Sequence, residues 1–230
     1  MKNIAIDGRL LSVAGFVRQG AQFADIGTDH AYLPIYLLRG GRISFAAASD
    51  INEGPLESAK ANAKEYGVLD KMSFHLANGL DDLRDSGVTD IAIAGMGGEL
   101  IADIVARAEF IKNKDIRLIL QPMSKQAHFR RSLEKWGFRI IGESYSKSMG
   151  KYYLTVCAEY DGAPRELDLV EAELGKDEFL RELTPEAMGY LRTKLRALEK
   201  IGRGKAAGGE CTDTEDTLIK KIKEITGEAI

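Results

Sequence analysis

Five short apolar runs, 21–26, 44–49, 72–76, 90–94 and 117–120, most constrain what this chain can fold into. Each has the length of a buried strand and closes on turn residues. Between them come stretches with apolar residues three and four apart, such as Leu56, Ala59, Ala63 and Tyr66 behind Pro55. That spacing, with Pro at a helical start, marks amphipathic helices. Strands separated by helical crossovers pair in parallel, because the helix carries the chain back to the edge where the previous strand began. The alternation predicts an α/β fold, a doubly wound Rossmann-like sheet with helices on both faces. Two later runs, 138–142 and 152–158, are joined through a turn at 147–150, too short a link for a crossover helix. They are expected as an antiparallel hairpin at the sheet edge.

In such sheets ligands bind beyond the carboxyl ends of the strands, near the point where the strand order reverses. The first run ends in ADIGTDHAYLP, 24–34, where Gly27 stands between Asp25 and Asp29. A single glycine lets main chain approach a ligand closely. Neither G-x-G-x-x-G nor G-x-x-x-x-G-K-[ST] occurs, and two carboxylates are poor company for a pyrophosphate. They suit a nucleoside bearing a sulfonium centre. The same residues equally fit an ordinary turn in which Asp25 or Asp29 caps the next helix. The second run closes on Asp50, 23 residues past Gly27, the spacing at which an acid accepts from ribose hydroxyls. The third leads to Ala77-Asn78-Gly79-Leu80, where Asn78 either meets an adenine amine or simply makes a turn. The fourth runs into Gly95-Met96-Gly97-Gly98, where main chain fills the space against a flat substrate or a tight turn.

The 230 residues are 44% hydrophobic and 29% charged, which excludes a disordered chain and leaves room for a full domain plus a small second unit. No run approaches the roughly 20 apolar residues of a membrane helix, and Asp7 and Arg9 interrupt the N-terminal apolar residues. No membrane association and a cytoplasmic location are therefore expected. Residues 7–16 read as an amphipathic helix beside the first strand, with Arg9 on its other side. Cys157 and Cys211 lack metal-ligand spacing, so no metal is expected.

The net charge of −3 hides two basic segments. Over 124–139 Lys125, Arg130, Arg131, Lys135 and Arg139 face only Glu134, and over 186–205 six basic residues face two acidic ones. Such segments attract polyanions, though a charge run is commonly a solvated face. After Tyr160 strand signals vanish. Helices over 185–201 and 214–225, separated by a glycine-rich and mobile 202–210, suggest a coiled-coil-like helical hairpin. The expected division is 1–160 for the sheet domain and 161–230 for the hairpin.

Taken together, the acidic second strand end and the terminal hairpin resemble the class I S-adenosylmethionine-dependent methyltransferases. The strings DIGTDHAYLP (25–34), DINEGPLESAK (50–60), NGL (78–80), IAGMGGELI (93–101) and LILQP (118–122), in this order, resemble the bacterial tRNA (adenine(22)-N1)-methyltransferase family, TrmK. The likeness spans nearly the whole chain, since that family also carries a helical extension. It implies methyl transfer from S-adenosylmethionine, leaving S-adenosylhomocysteine, to adenine N1 in tRNA. It implies that Gly27 forms the cofactor loop, Asp50 holds the ribose, Asn78 and Gly79 meet the adenine, and Asp29 is the catalytic carboxylate. Asp25, Ile51, Leu80, Ala94 and Gly95 complete the expected cofactor site. Arg9, His30, Tyr32, Met96 and Gly97, with Lys125, Arg130 and Arg131, are expected toward the RNA. The family usually has Asp where this chain has Asn78. A monomer or weak dimer is expected. The alternatives are a methyltransferase of a small metabolite, with the helical hairpin serving dimerisation, and a non-catalytic nucleotide- or RNA-binding module.

Overall fold

The structure, a computed structural model, describes residues 4–181 and 183–229. The strands β1 (Gln22–Ile26), β2 (Phe45–Asp50), β3 (Met72–Leu76), β4 (Asp90–Met96), β5 (Arg117–Pro122), β6 (Phe138–Ser148) and β7 (Lys151–Tyr160) form one sheet in the order β3-β2-β1-β4-β5-β7-β6. The first five pair in parallel, while β7 is antiparallel to both β5 and β6. The strand order reverses between β1 and β4, which neighbour each other although two strands intervene in sequence. The cleft of such a sheet opens at that point.

Helices α1 (Gly8–Phe16), α2 (Tyr32–Arg39), α3 (Glu53–Glu65), α4 (Gly98–Arg107) and α5 (Gln126–Lys135) flank the sheet. Two apolar layers result, one on each face. Phe23, Ala46, Ala48, Ala92 and Ile119 point into the layer under α1 to α3, and Ala24, Ile26, Ile91, Ile93 and Leu118 into the other. This period-two partition explains the near-continuous apolar runs: a strand covered on both faces has no polar side. The hairpin turn at Met149 and Gly150, both left-handed, matches the twist of β6 and β7.

Beyond Tyr160 the structure departs from the sequence reading. Two short helices, α6 (Leu169–Leu174) and α7 (Asp177–Leu180), precede α8 (Pro185–Ala207) and α9 (Asp213–Thr226). A capping box at Asp168 and Glu171 starts α6. The expected mobile 202–210 segment is mostly helix: α8 continues through Gly202 and Gly204 and stops at Gly208. Gly costs only about 1 kcal/mol in a helix interior, and the opposite α9, through Leu218 and Ile222 against Leu195 and Leu198, supports that length.

Residues 161–176 are a strap clamped to α5 and β6. Arg130, 1% exposed, donates to both oxygens of Glu143 at 2.6 and 2.9 Å and to the Ala172 carbonyl at 2.9 Å. Arg131 donates to the carbonyls of Leu167 and Asp168. Lys176 reaches buried Glu134 at 2.6 Å. Further on, Gly189 in α8 lies against the ring of Tyr152, leaving no space for a Cβ there, and Ala187 joins the sheet core. The helices after Tyr160 thus have a cluster of their own and an anchor in the sheet.

Candidate active site

The turn between β1 and α2 is built from alternating left-handed residues: Gly27 (φ 72°), Asp29 (φ 48°) and Ala31 (φ 56°). For a non-glycine residue this conformation costs roughly 1 kcal/mol or more. Neighbouring main chain holds it in place. The amides of Gly27 and Thr28 both donate to the Ser49 carbonyl of β2, at 2.8 and 3.1 Å. From α3, Asn62 donates to the His30 carbonyl at 2.9 Å.

The capping alternative for the two acids fails. The residue before α2 is Ala31, and no side chain caps that helix. Asp25 is buried and accepts from the Thr28 hydroxyl at 2.7 Å. Burial pushes its carboxyl up from 3.8 to about 6; the Thr28 hydrogen bond and nearby Arg9 pull it down, and Asp50 pushes it up again. Asp29 projects its carboxylate into the open, 71% exposed and 3.5 Å from His30 Nε2.

Two cavities meet at Gly27, across the carboxyl ends of β1, β2 and β4. The larger, about 300 Å³, is lined by Arg9, Asp25, Thr28, Asp29, His30, Tyr32, Ala94 and Gly95 among others. The smaller, about 140 Å³, is lined by Ser49, Asp50, Ile51, Asn78, Gly79, Met96, Leu100 and Ile104. Gly27 lines both. The Met96 methyl packs where a Cβ of residue 27 would stand, and the left-handed backbone there (φ 72°) suits glycine. At the larger cavity His30 and Tyr32 hold their rings 5.4 Å apart at a 32° tilt.

Most of the expected residues therefore converge, with exceptions. Leu80 is buried in the core with Ile104 and lines neither cavity. Arg130, expected at the RNA, is enclosed with Glu143 and cannot reach a phosphate, and the Arg131 guanidinium is committed to the strap. Charge counting along the chain missed their partners because these lie far away in sequence. Lys125 and Gly97 line neither cavity; Lys125 is exposed, left-handed (φ 57°), and 3.9 Å from Glu99. The Asn78 side-chain oxygen accepts from Arg107 at 3.2 Å. Sequence reasoning missed Arg107, as it missed Thr28, Leu100, Ile104 and Gln121 as participants. Gln121 at a strand end and Ile104 on the buried side of α4 carried a signal; Leu100 and Arg107 are exposed and carried none.

Among the described residues no group of His, Cys, Asp and Glu could hold a metal ion, and no helix is long and apolar enough to cross a membrane. Cys157 is buried, which pushes its thiol up to about 12, and Cys211 is exposed.

Residues 6–156 match the family model described as "Methyltransferase domain". The tRNA (adenine(22)-N(1))-methyltransferase of Bacillus subtilis (strain 168) is 36% identical over 98% of this chain and 94% of its own length. Among solved structures, Streptococcus pneumoniae Sp1610 in complex with S-adenosyl-L-methionine superposes with a TM-score of 0.83 at 34% identity, covering 96% of this chain and 100% of that one. TrmK of M. capricolum with S-adenosyl-homocysteine gives 0.76 at 25% identity, covering 96% of each. With its sheet order, its bilobed cleft at the strand reversal and this likeness over nearly its full length, the chain belongs to the tRNA (adenine(22)-N(1))-methyltransferase family.

Proposed function

We infer that this chain transfers the methyl group of S-adenosylmethionine to N1 of adenine 22 in tRNA. The observation that carries this reading is the exposed Asp29 carboxylate at the larger of two cavities that join at Gly27.

The residues fit the cofactor. In the smaller cavity, apolar Ile51, Leu100 and Ile104 beside Asp50 suit an adenine and its ribose hydroxyls. Asn78 and Gly79 stand at the same end. In the larger cavity, the buried carboxylate of Asp25 suits an ammonium or sulfonium charge, which would hold it ionised. Bound there, S-adenosylmethionine supplies an electrophilic methyl group on a positively charged sulfur.

Adenine N1 carries an in-plane lone pair and needs no deprotonation before attack, so the protein acts chiefly by positioning. Asp29 accepts a hydrogen bond from the exocyclic amine, turning N1 inward. As the ring gains positive charge, the same carboxylate stabilises it. The left-handed backbone of Asp29 aims the side chain out of the turn, and strain retained at a loop of this kind fits such a role. His30 and Tyr32 offer ring faces for stacking the base. Because N1 lies on the Watson–Crick edge, the target base must leave its pairing partner.

The tRNA body needs phosphate contacts. On α8, Arg192, Lys194 and Lys205 are paired with Glu228, Glu173 and Glu215. Arg196, Lys200 and Arg203 have no such partner among the described residues and recur at four and three on one exposed face. That stripe, with Lys125, is the surface we assign to the RNA backbone, on a protein acting as a monomer or weak dimer in the cytoplasm.

The test is methylation of an unmodified tRNA transcript and of the same transcript with adenine 22 replaced by guanine. Primer extension should stop at position 22 of the first only. Equal labelling of both would overturn the assigned nucleotide, and no labelling of either with cofactor bound would favour a small-molecule substrate.

A further inference from the structure

We propose that the tip of the β6–β7 hairpin, residues 147–151, is a second RNA-binding element, in which Met149 wedges against the bases beside the extruded adenine while Lys147 and Lys151 take the flanking phosphates. The inference rests on the reading that the substrate is tRNA.

The tip stands on the cleft side of the sheet. β7 pairs antiparallel with β5 from Glu159 opposite Arg117 to Val156 opposite Leu120, so its earlier residues run on past the carboxyl end of β5. That is the end of the sheet at which the two cavities open. The start of α1 holds the tip there. Asp7 accepts from the Ser148 hydroxyl at 3.0 Å, a Cβ on Gly8 would lie 2.5 Å from the Lys147 carbonyl oxygen, and the next residue, Arg9, lines the larger cavity.

Nothing inside the protein explains Met149. It is 96% exposed and left-handed (φ 47°), followed by left-handed Gly150. A two-residue hairpin turn with this backbone favours Asn, Asp or Gly at its first position. Methionine adopts the conformation at a cost and here buries no apolar surface. A flexible apolar side chain held out on a rigid hairpin has the form of the wedges that enter between nucleic-acid bases and keep a step unstacked.

The charge around it suits the same partner. Lys147 and Lys151 are exposed and have no ion pair among the described residues; Lys147 Nζ lies 5.4 Å over the Tyr152 ring. The Asp7 carboxylate, which touches the tip, is engaged by the Leu10 amide and Ser148. On its other side the hairpin meets α8, where Gly189 packs on the Tyr152 ring. Arg196, Lys200 and Arg203 follow Gly189 by seven, eleven and fourteen residues, which places them within about 40° of the same direction around the helix. The helix face that receives the hairpin therefore continues as the face carrying the basic stripe, one track leading from the cleft onto α8.

The test uses the full chain and an unmodified tRNA transcript, with 2-aminopurine at position 22 for the binding arm, a base that brightens when unstacked. Saturating wild type with S-adenosylhomocysteine should brighten it. Met149→Asn, which keeps the turn, should brighten it several-fold less and lower kcat/KM on the ordinary transcript roughly tenfold. Melting temperature and S-adenosylmethionine affinity should not move. Lys147→Ala combined with Lys151→Ala should weaken tRNA binding and reduce the slope of log affinity against log salt by about one per lysine. Wild-type brightening and rate in Met149→Asn overturn the wedge. A loss accompanied by weaker cofactor binding or a lower melting temperature also overturns it, since the tip would then be a structural element. An unchanged salt slope in the double variant overturns the phosphate contacts. A wild type that binds S-adenosylmethionine but leaves the transcript unmethylated overturns the substrate reading itself.

Discussion

The β1–α2 turn places charge at the carboxyl end of a central strand and the Arg130–Glu143 clamp places it on the edge strand β6, and they treat it in opposite ways. The clamp surrounds Arg130 with two carboxylate oxygens and a carbonyl and shuts out water. The turn leaves Asp29 exposed to water on a left-handed backbone, with only the neighbouring His30 ring 3.5 Å away. The clamp's charges are already satisfied within the protein, so nothing remains for a ligand. The turn's charges are available, and its geometry is bought with hydrogen bonds from β2 and α3. In this molecule an enclosed ion pair indicates architecture and an exposed acid at the cleft indicates chemistry.

The largest expected effect tests the clamp. Glu143→Ala leaves a buried guanidinium without its counter-ion, which should remove about 3–5 kcal/mol of stability. Denaturant unfolding measures it, with cofactor affinity retained while the protein stays folded. A loss below about 1 kcal/mol would mean that water or another group reaches Arg130, and the contrast with the turn would weaken. The same clamp predicts that a chain ending near Tyr160 loses stability, since Ala172 and Glu173 would be missing.

Next is Asp25. Its folded carboxyl titrates near 6 against an ordinary 3.8. Between those values the native state keeps a proton that the unfolded chain has released, so stability falls as pH rises through that window. The cost at pH 8 is about 3 kcal/mol, and a bound cation should offset part of it. Asp25→Asn should therefore melt higher than wild type at pH 8, with the gap narrowing toward pH 4, while cofactor binding weakens. Parallel melting curves at pH 4 and pH 8 would refute a buried ionisable role.

Asp29→Ala tests the turn directly. Single-turnover methyl transfer should fall at least roughly tenfold to a hundredfold, or about 1.4–2.7 kcal/mol of transition-state stabilisation. Cofactor affinity should hold. A wild-type rate from a folded, cofactor-bound variant would sink the catalytic assignment. The smallest effect separates strain from chemistry: Asp29→Gly should be as slow as Asp29→Ala but more stable than it by about 1 kcal/mol, because glycine adopts the left-handed conformation freely. Equal stability would mean that the turn stores no strain at this position.

The sheet was legible because the runs of its central strands are apolar on both faces and helices such as α3 show a regular period. Gly27, Asp50 and Gly95 were legible because ligands gather at strand ends in this architecture. What escaped was pairing at a distance. Arg130 looked like part of an RNA-facing run because Glu143 lies on the next strand and Ala172 on a helix with no strong apolar period. The left-handed Ala31 escaped too, since alanine carries no mark of that conformation. The continuation of α8 through two glycines depends on a partner helix that only the folded chain supplies.

The Ser49 carbonyl has a mechanical consequence. By accepting from both Gly27 and Thr28 it fixes the span between the turn and Asp50, the next residue along β2. It acts as a ruler made of main chain. Side-chain substitution at position 49 leaves it in place, whereas proline at 28 would remove one of its two amides. The separation between the two ends of the cleft is thereby insulated from sequence drift. A change of side chain at either end alters what is recognised there without altering the length of ligand that fits.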